Sequence, residues 1–230
     1  QLCDVELLLN GGFAQLQGKF MNREDTESVV ESMRLSDGTL WPLPINLDLT
    51  AEQAEQARQS HAEGKSLNLV DTEGNVIAGL QVDEVWEADK DREAQLAFGG
   101  DEEHPAIRYL RQHAGSHYVS GALTGYQLPV HYDYPDLRLT PAELRQRFTE
   151  RGEGWDKVVA FQTRNPMHRA HCELVQRAAE QEGCKALIHP VVGMTKPGDI
   201  DYHTRLRCIQ SVCRDGTFNR DDTELSVLPL

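Results

Sequence analysis

The stretch that decides the fold is Lys157-Val-Val-Ala-Phe-Gln-Thr-Arg-Asn-Pro-Met-His-Arg-Ala-His171. Its first part, up to Thr163, is short, apolar and β-branched, which is typical of a buried strand in a parallel sheet. Asn165 is expected to cap a helix that begins at Pro166, because proline loses no hydrogen bond at the first helical position. This helix is expected to end near Gly183. Its apolar stripe is predicted to consist of Ala170, Leu174, Val175 and Ala178.

Two histidines stand at the predicted start of that helix. His168 and His171 are spaced so that both side chains would lie on one face of its first turn. Backbone N–H groups without intrahelical partners and the positive end of the helix dipole favour an anion at the same place. Arg164 adds a planar fork of donors that suits a tetrahedral oxyanion. A metal site that includes Cys172, or a solvated helix face, is the alternative for an isolated histidine pair.

The residues that follow Trp155 alternate between strands and helices. The expected strands are 157–163, 186–192 and 224–230, and the expected helices are 166–182 and 202–214. Such alternation predicts a parallel sheet whose carboxyl edge carries the binding site. The Gly- and Pro-rich segment 193–201 follows the second strand, so Lys196 either reaches a phosphate or is an ordinary solvated lysine. His203 and Arg205, at the start of the next helix, are further candidates for anion contacts.

The residues before Trp155 have a different sequence pattern, with short segments of alternating apolar and polar residues and frequent turn signals. Residues 67–82, centred on Glu73-Gly74-Asn75, are predicted to form a β-hairpin. Helices are expected at 23–33, 51–63, 104–112 and 141–150. We therefore predict a mostly β first domain over residues 1–152 and an α/β second domain over residues 153–230.

Composition limits the possible functions. The net charge of −14 argues against nonspecific nucleic-acid binding, which needs a basic surface. Anionic substrates must then be bound by a local basic pocket, for which the candidates are Arg164, Arg169, Lys196 and Arg205. The acidic residues within 83–93 and 101–103 are expected to form solvated faces.

The cysteines indicate a compartment. The five cysteines include no CxxC pair, and their odd number does not make a complete set of disulfide pairs. This favours a reduced, cytoplasmic location. Cys172 is more typical of a small buried helix residue than of a reactive thiol. No segment approaches the roughly 20 apolar residues of a membrane span, so no membrane association is expected.

Residues 162–171 resemble the active-site motif of the ATP sulfurylase (sulfate adenylyltransferase) family. Segments 2–13, 33–44, 128–138 and 189–199 are similar to further family strings, in family order. The resemblance implies an α/β protein in which an N-terminal PUA-like mixed β-barrel is followed by a Rossmann-like parallel α/β nucleotidyltransferase domain. In the family the same sheet continues after the position of Leu230, so we expect a fragment truncated at the C-terminus.

The resemblance also implies a reaction, in which ATP and sulfate give adenosine 5′-phosphosulfate and pyrophosphate. Mg²⁺ would arrive with ATP, without a tightly bound cofactor or a metal site of the protein. The partners implied are ATP, sulfate and further copies of the chain in a homo-oligomer, with no nucleic acid. Alternatives are an adenylyltransferase for another acceptor and a noncatalytic fragment that binds nucleotides or anions.

Site residues follow from the same match. Gln162 and Arg164 would bind sulfate, and Thr163, Arg164 and Asn165 would take part in catalysis. The residues implied for ATP binding are Gln162, Thr163, Arg164, Asn165, His168 and His171.

Overall fold

The protein divides into two compact units. The computed structural model describes residues 1–71, 73–126, 128, 130–193 and 198–229. The units are Gln1–Pro129 and Val130–Leu230. Within the described residues, no helix is long and apolar enough to cross a membrane.

The first unit is built on an antiparallel sheet. Its helices are α1 (Leu2–Asn10), α2 (Arg23–Ser32), α3 (Ala51–Ala62), α4 (Lys90–Phe98) and α5 (Pro105–Gln112). Its strands are β1 (Lys19–Phe20), β2 (Leu47–Leu49), β3 (Leu67–Val70), β4 (Val76–Glu87) and β5 (His117–Gly125). The strand order is β1-β5-β4-β3, with β2 also paired to β5. The predicted hairpin is confirmed as the β3–β4 pair, and Gly74 in its turn has a positive φ of 89°.

The acidic residues of segment 83–93 are exposed, as predicted, with the exception of Glu93. The end of this segment forms the first turn of α4, which is capped by the Asp89 side chain at 3.1 Å from the Arg92 backbone nitrogen. Glu93 is buried, and its Oε2 accepts a hydrogen bond from the Tyr118 hydroxyl at 2.7 Å. Burial raises the pKa of Glu93, opposed by this hydrogen bond. Residues 101–103 are exposed, as predicted.

The second unit is a parallel α/β structure. Its helices are α6 (Pro141–Arg151), α7 (Arg169–Glu182) and α8 (Tyr202–Arg214). Its strands are β6 (Val158–Thr163), β7 (Lys185–Val192), β8 (Thr223–Leu225) and β9 (Leu228–Pro229). β7 pairs in parallel with β6, β8 and β9. The predicted order, a β-rich domain followed by a parallel α/β domain, is therefore confirmed, although the last predicted strand is divided into β8 and β9.

The division between the units falls earlier than the predicted boundary after residue 152. Helix α6 belongs to the second unit, because two of its arginines pair with the buried carboxylate of Glu224. Glu224 lies on strand β8, which pairs with β7. Arg147 Nη1 lies 3.1 Å from Glu224 Oε1, and Arg151 Nη2 lies 2.8 Å from Oε2. A charge buried in this way is stable only when it is paired, so α6 cannot be separated from the sheet without exposing an unpaired carboxylate.

Candidate anion-binding site

The motif lies at the carboxyl edge of the parallel sheet, where ligands bind in folds of this type. In the β6–β7 ladder Gln162 is opposite His189, and Thr163 is opposite Pro190. Gln162 is exposed. Burial lowers the pKa of His189, so the imidazole beside Gln162 is uncharged at neutral pH. The strand end thus offers the Gln162 amide without a neighbouring charge on His189.

A hydroxyl-closed turn follows β6. The Asn165 backbone N–H donates to Thr163 Oγ1 at 3.0 Å, and this hydroxyl donates back to the Asn165 carbonyl at 3.1 Å. Thr163 is buried, whereas the side chain of Asn165 is exposed. The Thr163 hydroxyl therefore shapes the turn, and Asn165 does not cap the following helix.

The helix begins later than predicted. α7 starts at Arg169, and His168 occupies the N-cap position with extended dihedral angles, φ −89° and ψ 161°. The prediction of Pro166 as the first helical residue was wrong because Met167 is buried. Only 8% of Met167 is exposed, and it packs in a core cluster with Ile188 and Ile209. The non-helical start lets this side chain enter the core.

The apolar face of α7 differs accordingly from the predicted stripe. Cys172 and Val175 are buried in the core cluster, whereas Ala170 and Leu174 are exposed. The burial of Cys172 confirms its interpretation as a core residue, and burial raises the pKa of its thiol. Gly183 ends the helix in the left-handed conformation, as predicted.

His168 and His171 are neighbours at the start of α7, with ring centroids 5.5 Å apart. The His168 backbone N–H lies 3.2 Å from Nδ1 of His171, which acts as the acceptor. A neutral His171 that accepts at Nδ1 must carry its hydrogen at Nε2. The Phe161 ring, with its centroid 5.6 Å away, packs against the same imidazole. These contacts fix the ring with an N–H donor on the side away from the backbone.

Arg164 lies between the strand and the helix. Its side chain is 36% exposed, and its Nη2 is 3.8 Å from Oδ2 of Asp199. Asp199 was not predicted as a site residue, and the only signal in the sequence was its position in the Gly- and Pro-rich segment after β7. The pair is long and solvent-accessible, which makes it a weak interaction that leaves the guanidinium available to another anion.

The remaining basic candidates occupy different places. Arg205 is only 2% exposed, and its guanidinium donates to the backbone carbonyls of Arg164 and, at 3.1 Å, Val191. It therefore bonds to the main chain rather than facing solvent. His203 is exposed, with its ring centroid 4.1 Å from that of Tyr202. Arg169 is exposed at the first position of α7, and Lys196 lies outside the described residues.

A cavity in the first unit is a poorer candidate for anions. It has a volume of about 280 Å³, and its lining includes Asp25, Asp37, Asp83 and a single lysine, Lys19. Three carboxylates against one ammonium group disfavour a phosphate or sulfate. In the part of the chain that the structure describes, no group of three or more His, Cys, Asp or Glu side chains is arranged to hold a metal ion.

The fold defines a two-domain α/β protein, in which a PUA-like domain precedes an α/β domain with a nucleotide-binding fold. Residues 1–128 match the family model of the PUA-like domain, and residues 135–230 match that of ATP-sulfurylase. The chain belongs to the ATP-sulfurylase family.

Curated relatives agree with this assignment. The chain is 51% identical over 230 residues to a sulfate adenylyltransferase of Kluyveromyces lactis and 52% identical to one of Saccharomyces cerevisiae. Both alignments include the whole chain, which spans 44% and 43% of these relatives. The chain thus spans less than half the length of the curated relatives it matches.

A solved structure has the same fold. The chain is 30% identical to a protein described as a hexameric APS kinase from Thiobacillus denitrificans, with a TM-score of 0.72. The match covers 99% of this chain and 39% of the other.

Proposed function

We propose that this protein is a sulfate adenylyltransferase, which converts ATP and sulfate into adenosine 5′-phosphosulfate and pyrophosphate. The observation that carries the proposal is the arrangement at the carboxyl end of β6. There the half-exposed Arg164 is followed directly by the oriented histidine pair His168 and His171. Relatives of about 50% identity that bear this activity in their names support it.

The proposed reaction requires hydrogen-bond donors to the anions rather than a general base. A sulfate oxygen attacks the α-phosphorus of ATP and forms a new S–O–P bond, while the bond to the bridging oxygen breaks and pyrophosphate leaves. Sulfate is fully ionised near neutral pH, so no proton has to be removed from it. The remaining barrier comes from bringing two anions together and from the charge that develops on the leaving group. Positioning and electrostatic stabilisation therefore dominate.

Sulfate binding is assigned to the strand end. Gln162 is exposed at the end of β6 and donates its amide N–H, and Arg164 donates its planar fork to two sulfate oxygens. In the absence of sulfate, the Arg164 guanidinium is nearest to Asp199. Sulfate takes the place of this carboxylate, because a doubly charged anion attracts the guanidinium more strongly than a single charge at the same distance.

ATP binding is assigned to the turn and the helix start. His171 donates Nε2–H to a phosphate oxygen, and His168 and the exposed Asn165 amide contribute neighbouring donors. The N–H groups of Arg169 and Ala170 in the first turn of α7 add to them, because N–H groups at these positions have no acceptor within the helix. Thr163 acts mainly through the turn that it closes, since its hydroxyl already bonds both polar groups of the Asn165 backbone.

Other features complete the proposal. Mg²⁺ enters as part of the Mg–ATP substrate, because a hard cation prefers the phosphate oxygens to histidine nitrogens. The hexameric relative supports a homo-oligomer. The cysteine pattern supports a cytoplasmic location.

The test is ATP formation from adenosine 5′-phosphosulfate and pyrophosphate. The assay uses the protein at the length that its gene encodes, since the chain spans less than half of its relatives. We expect Arg164→Ala to lower turnover by about 100-fold or more, the usual effect of removing a donor to transition-state charge. The matched control is Arg177→Ala, which removes an exposed arginine of α7 whose partner is Glu173. Full turnover in the Arg164 variant, or an equal loss in the control, would contradict the proposal.

A further inference from the structure

The guanidinium of Arg205 links the ends of two strands. Arg205 lies in the first turn of α8, whose N-cap Asp201 accepts from the Thr204 backbone at 2.9 Å. Its Nη1 donates to the carbonyl of Arg164, just after β6, and its Nη2 donates to the carbonyl of Val191, near the end of β7. A side chain from the next helix thus bonds both main-chain segments that border the site.

This arrangement is energetically unusual. Burying a cation is costly unless it is paired, and the acceptors here are neutral backbone oxygens. Burial and the nearby Arg164 charge lower the pKa of Arg205, whereas Asp199 and Asp201 raise it. An apolar side chain at this position would avoid the cost and leave the carbonyls to water or other donors. The presence of a buried guanidinium here therefore points to a function in fixing geometry.

The geometry points to Arg205 as a positioning residue for sulfate, an inference that rests on the proposed function. Its two hydrogen bonds hold the Arg164 carbonyl at a fixed distance from the end of β7, so the Arg164 side chain starts from a fixed backbone. Leu206, the next residue, is buried with Val192 and keeps α8 on the sheet. Arg205 does not contact the anion; it acts through Arg164.

Lysine at position 205 separates geometry from charge. Arg205→Lys keeps the positive charge, but the lysine side chain carries a single nitrogen. One ammonium group cannot hold two separated carbonyls in the planar geometry of a guanidinium. The control is Arg207→Lys on the same helix, because Arg207 is exposed and donates to the nearby Thr204 hydroxyl at 3.2 Å. Both variants carry the same chemical change.

Double-mutant kinetics test whether the effect passes through Arg164. Steady-state rates are measured for the full-length protein with Arg205→Lys alone, Arg164→Lys alone and both together. We expect Arg205→Lys alone to raise the KM for sulfate roughly tenfold, since displacement of a positioned group by a fraction of an ångström has effects of this order. The KM for Mg–ATP stays within about twofold, and in the Arg164→Lys background the effect on sulfate falls below about threefold.

A purely structural role predicts a different result, namely the same factor in both backgrounds or a loss of stability with both KM values unchanged. Either result would overturn the inference. Hydrogen exchange of the peptide 162–168 gives a readout that is independent of turnover. We expect Arg205→Lys to accelerate this exchange and Arg207→Lys to leave it unchanged, with the β-hairpin 67–87 as an internal reference.

The exchange measurement also separates the two proposals. A wild-type protein without any ATP formation would refute the proposed function, and with it the effect on sulfate. Faster hydrogen exchange of the peptide 162–168 in Arg205→Lys would still support the conclusion that Arg205 fixes the backbone at Arg164. Unchanged exchange in that variant would remove the inference whatever the activity of the wild type.

Discussion

Met167 is expected to anchor the motif to the core of the second unit. It stands between the turn after β6 and the N-cap His168, and its side chain packs with Ile188 of β7 and Ile209 of α8. Because the segment around it is not helical, helix hydrogen bonds do not hold it in place. We predict that Met167→Ala both destabilises the unit and displaces His168.

The magnitude follows from burial. Truncation of a buried methionine to alanine costs about 2–5 kcal/mol, made up of lost transfer free energy and a residual cavity. Met167 lies in a short irregular segment, which can close part of such a cavity more easily than a strand or a helix. We therefore expect the lower part of this range, about 2–3 kcal/mol. Met167→Leu keeps the volume and should cost less than about 1.5 kcal/mol.

The measurement is urea unfolding followed by the fluorescence of Trp155, which is buried in the second unit. Trp41 and Trp86 are replaced by phenylalanine in all variants, so that the signal reports one unit only. The KM for Mg–ATP is measured in parallel and should rise in Met167→Ala, because His168 loses its anchor. A cost below about 1 kcal/mol for Met167→Ala, or equal costs for alanine and leucine, would refute the anchoring argument.

Two further predictions concern a partly buried thiol and a buried carboxyl group. Burial raises the pKa of Cys213 to about 11, so at pH 8 only about one thiol in a thousand is ionised. Alkylation of Cys213 by iodoacetamide, followed by mass spectrometry, should therefore be about 100-fold slower in the folded protein than in urea. The exposed Cys208 is the control that reacts in the folded state, and a rate for folded Cys213 near the unfolded rate would contradict this prediction. Because the pKa of Glu93 is raised in the folded state, the stability linked to it is fully present below the unfolded pKa and is lost as the pH rises through the folded pKa. Glu93→Gln should therefore stabilise the first unit by on the order of 1 kcal/mol at pH 7.5 and should have no effect near pH 4. Thermal unfolding at the two pH values measures this difference. A variant that is less stable than the wild type at pH 7.5 would show that the hydrogen bond from Tyr118 outweighs the cost of burying the carboxylate.

The parts of the fold that the sequence predicted well are those with local signals. The helix predicted to begin at residue 141 does begin there as α6, and the structure has the full capping box between Thr140 and Glu143. Gly183 predicts the end of α7, since the left-handed conformation at a helix end favours glycine. The strand β7 was recognisable because strands covered on both faces are apolar along their length, whereas β6 was predicted as a buried strand and is only partly buried.

The parts that failed depend on contacts between distant residues. Asn165 and Pro166 form a good local start signal, but the burial of Met167 against Ile188 outweighs it. The hydrogen bonds of Arg205 were equally inaccessible, because nothing near it in sequence shows that its guanidinium reaches the carbonyls of Arg164 and Val191. Such contacts exist only once the strands and α8 are in place.

The acidic character of the chain does not conflict with a site for two anions. The net charge is −14, so the overall field repels sulfate and ATP, and solvent ions screen it within about 8–10 Å at physiological salt. At 3.8 Å, the Coulomb attraction between Arg164 and Asp199 amounts to roughly 1 kcal/mol in bulk water, and exposed pairs of this kind contribute a net of about 0–1 kcal/mol. A sulfate dianion at the same distance doubles this attraction and adds bidentate hydrogen bonds. Under the proposed function, this weak ion pair keeps Arg164 near the sulfate position without preventing sulfate from binding, whereas a buried pair would hold the guanidinium too tightly.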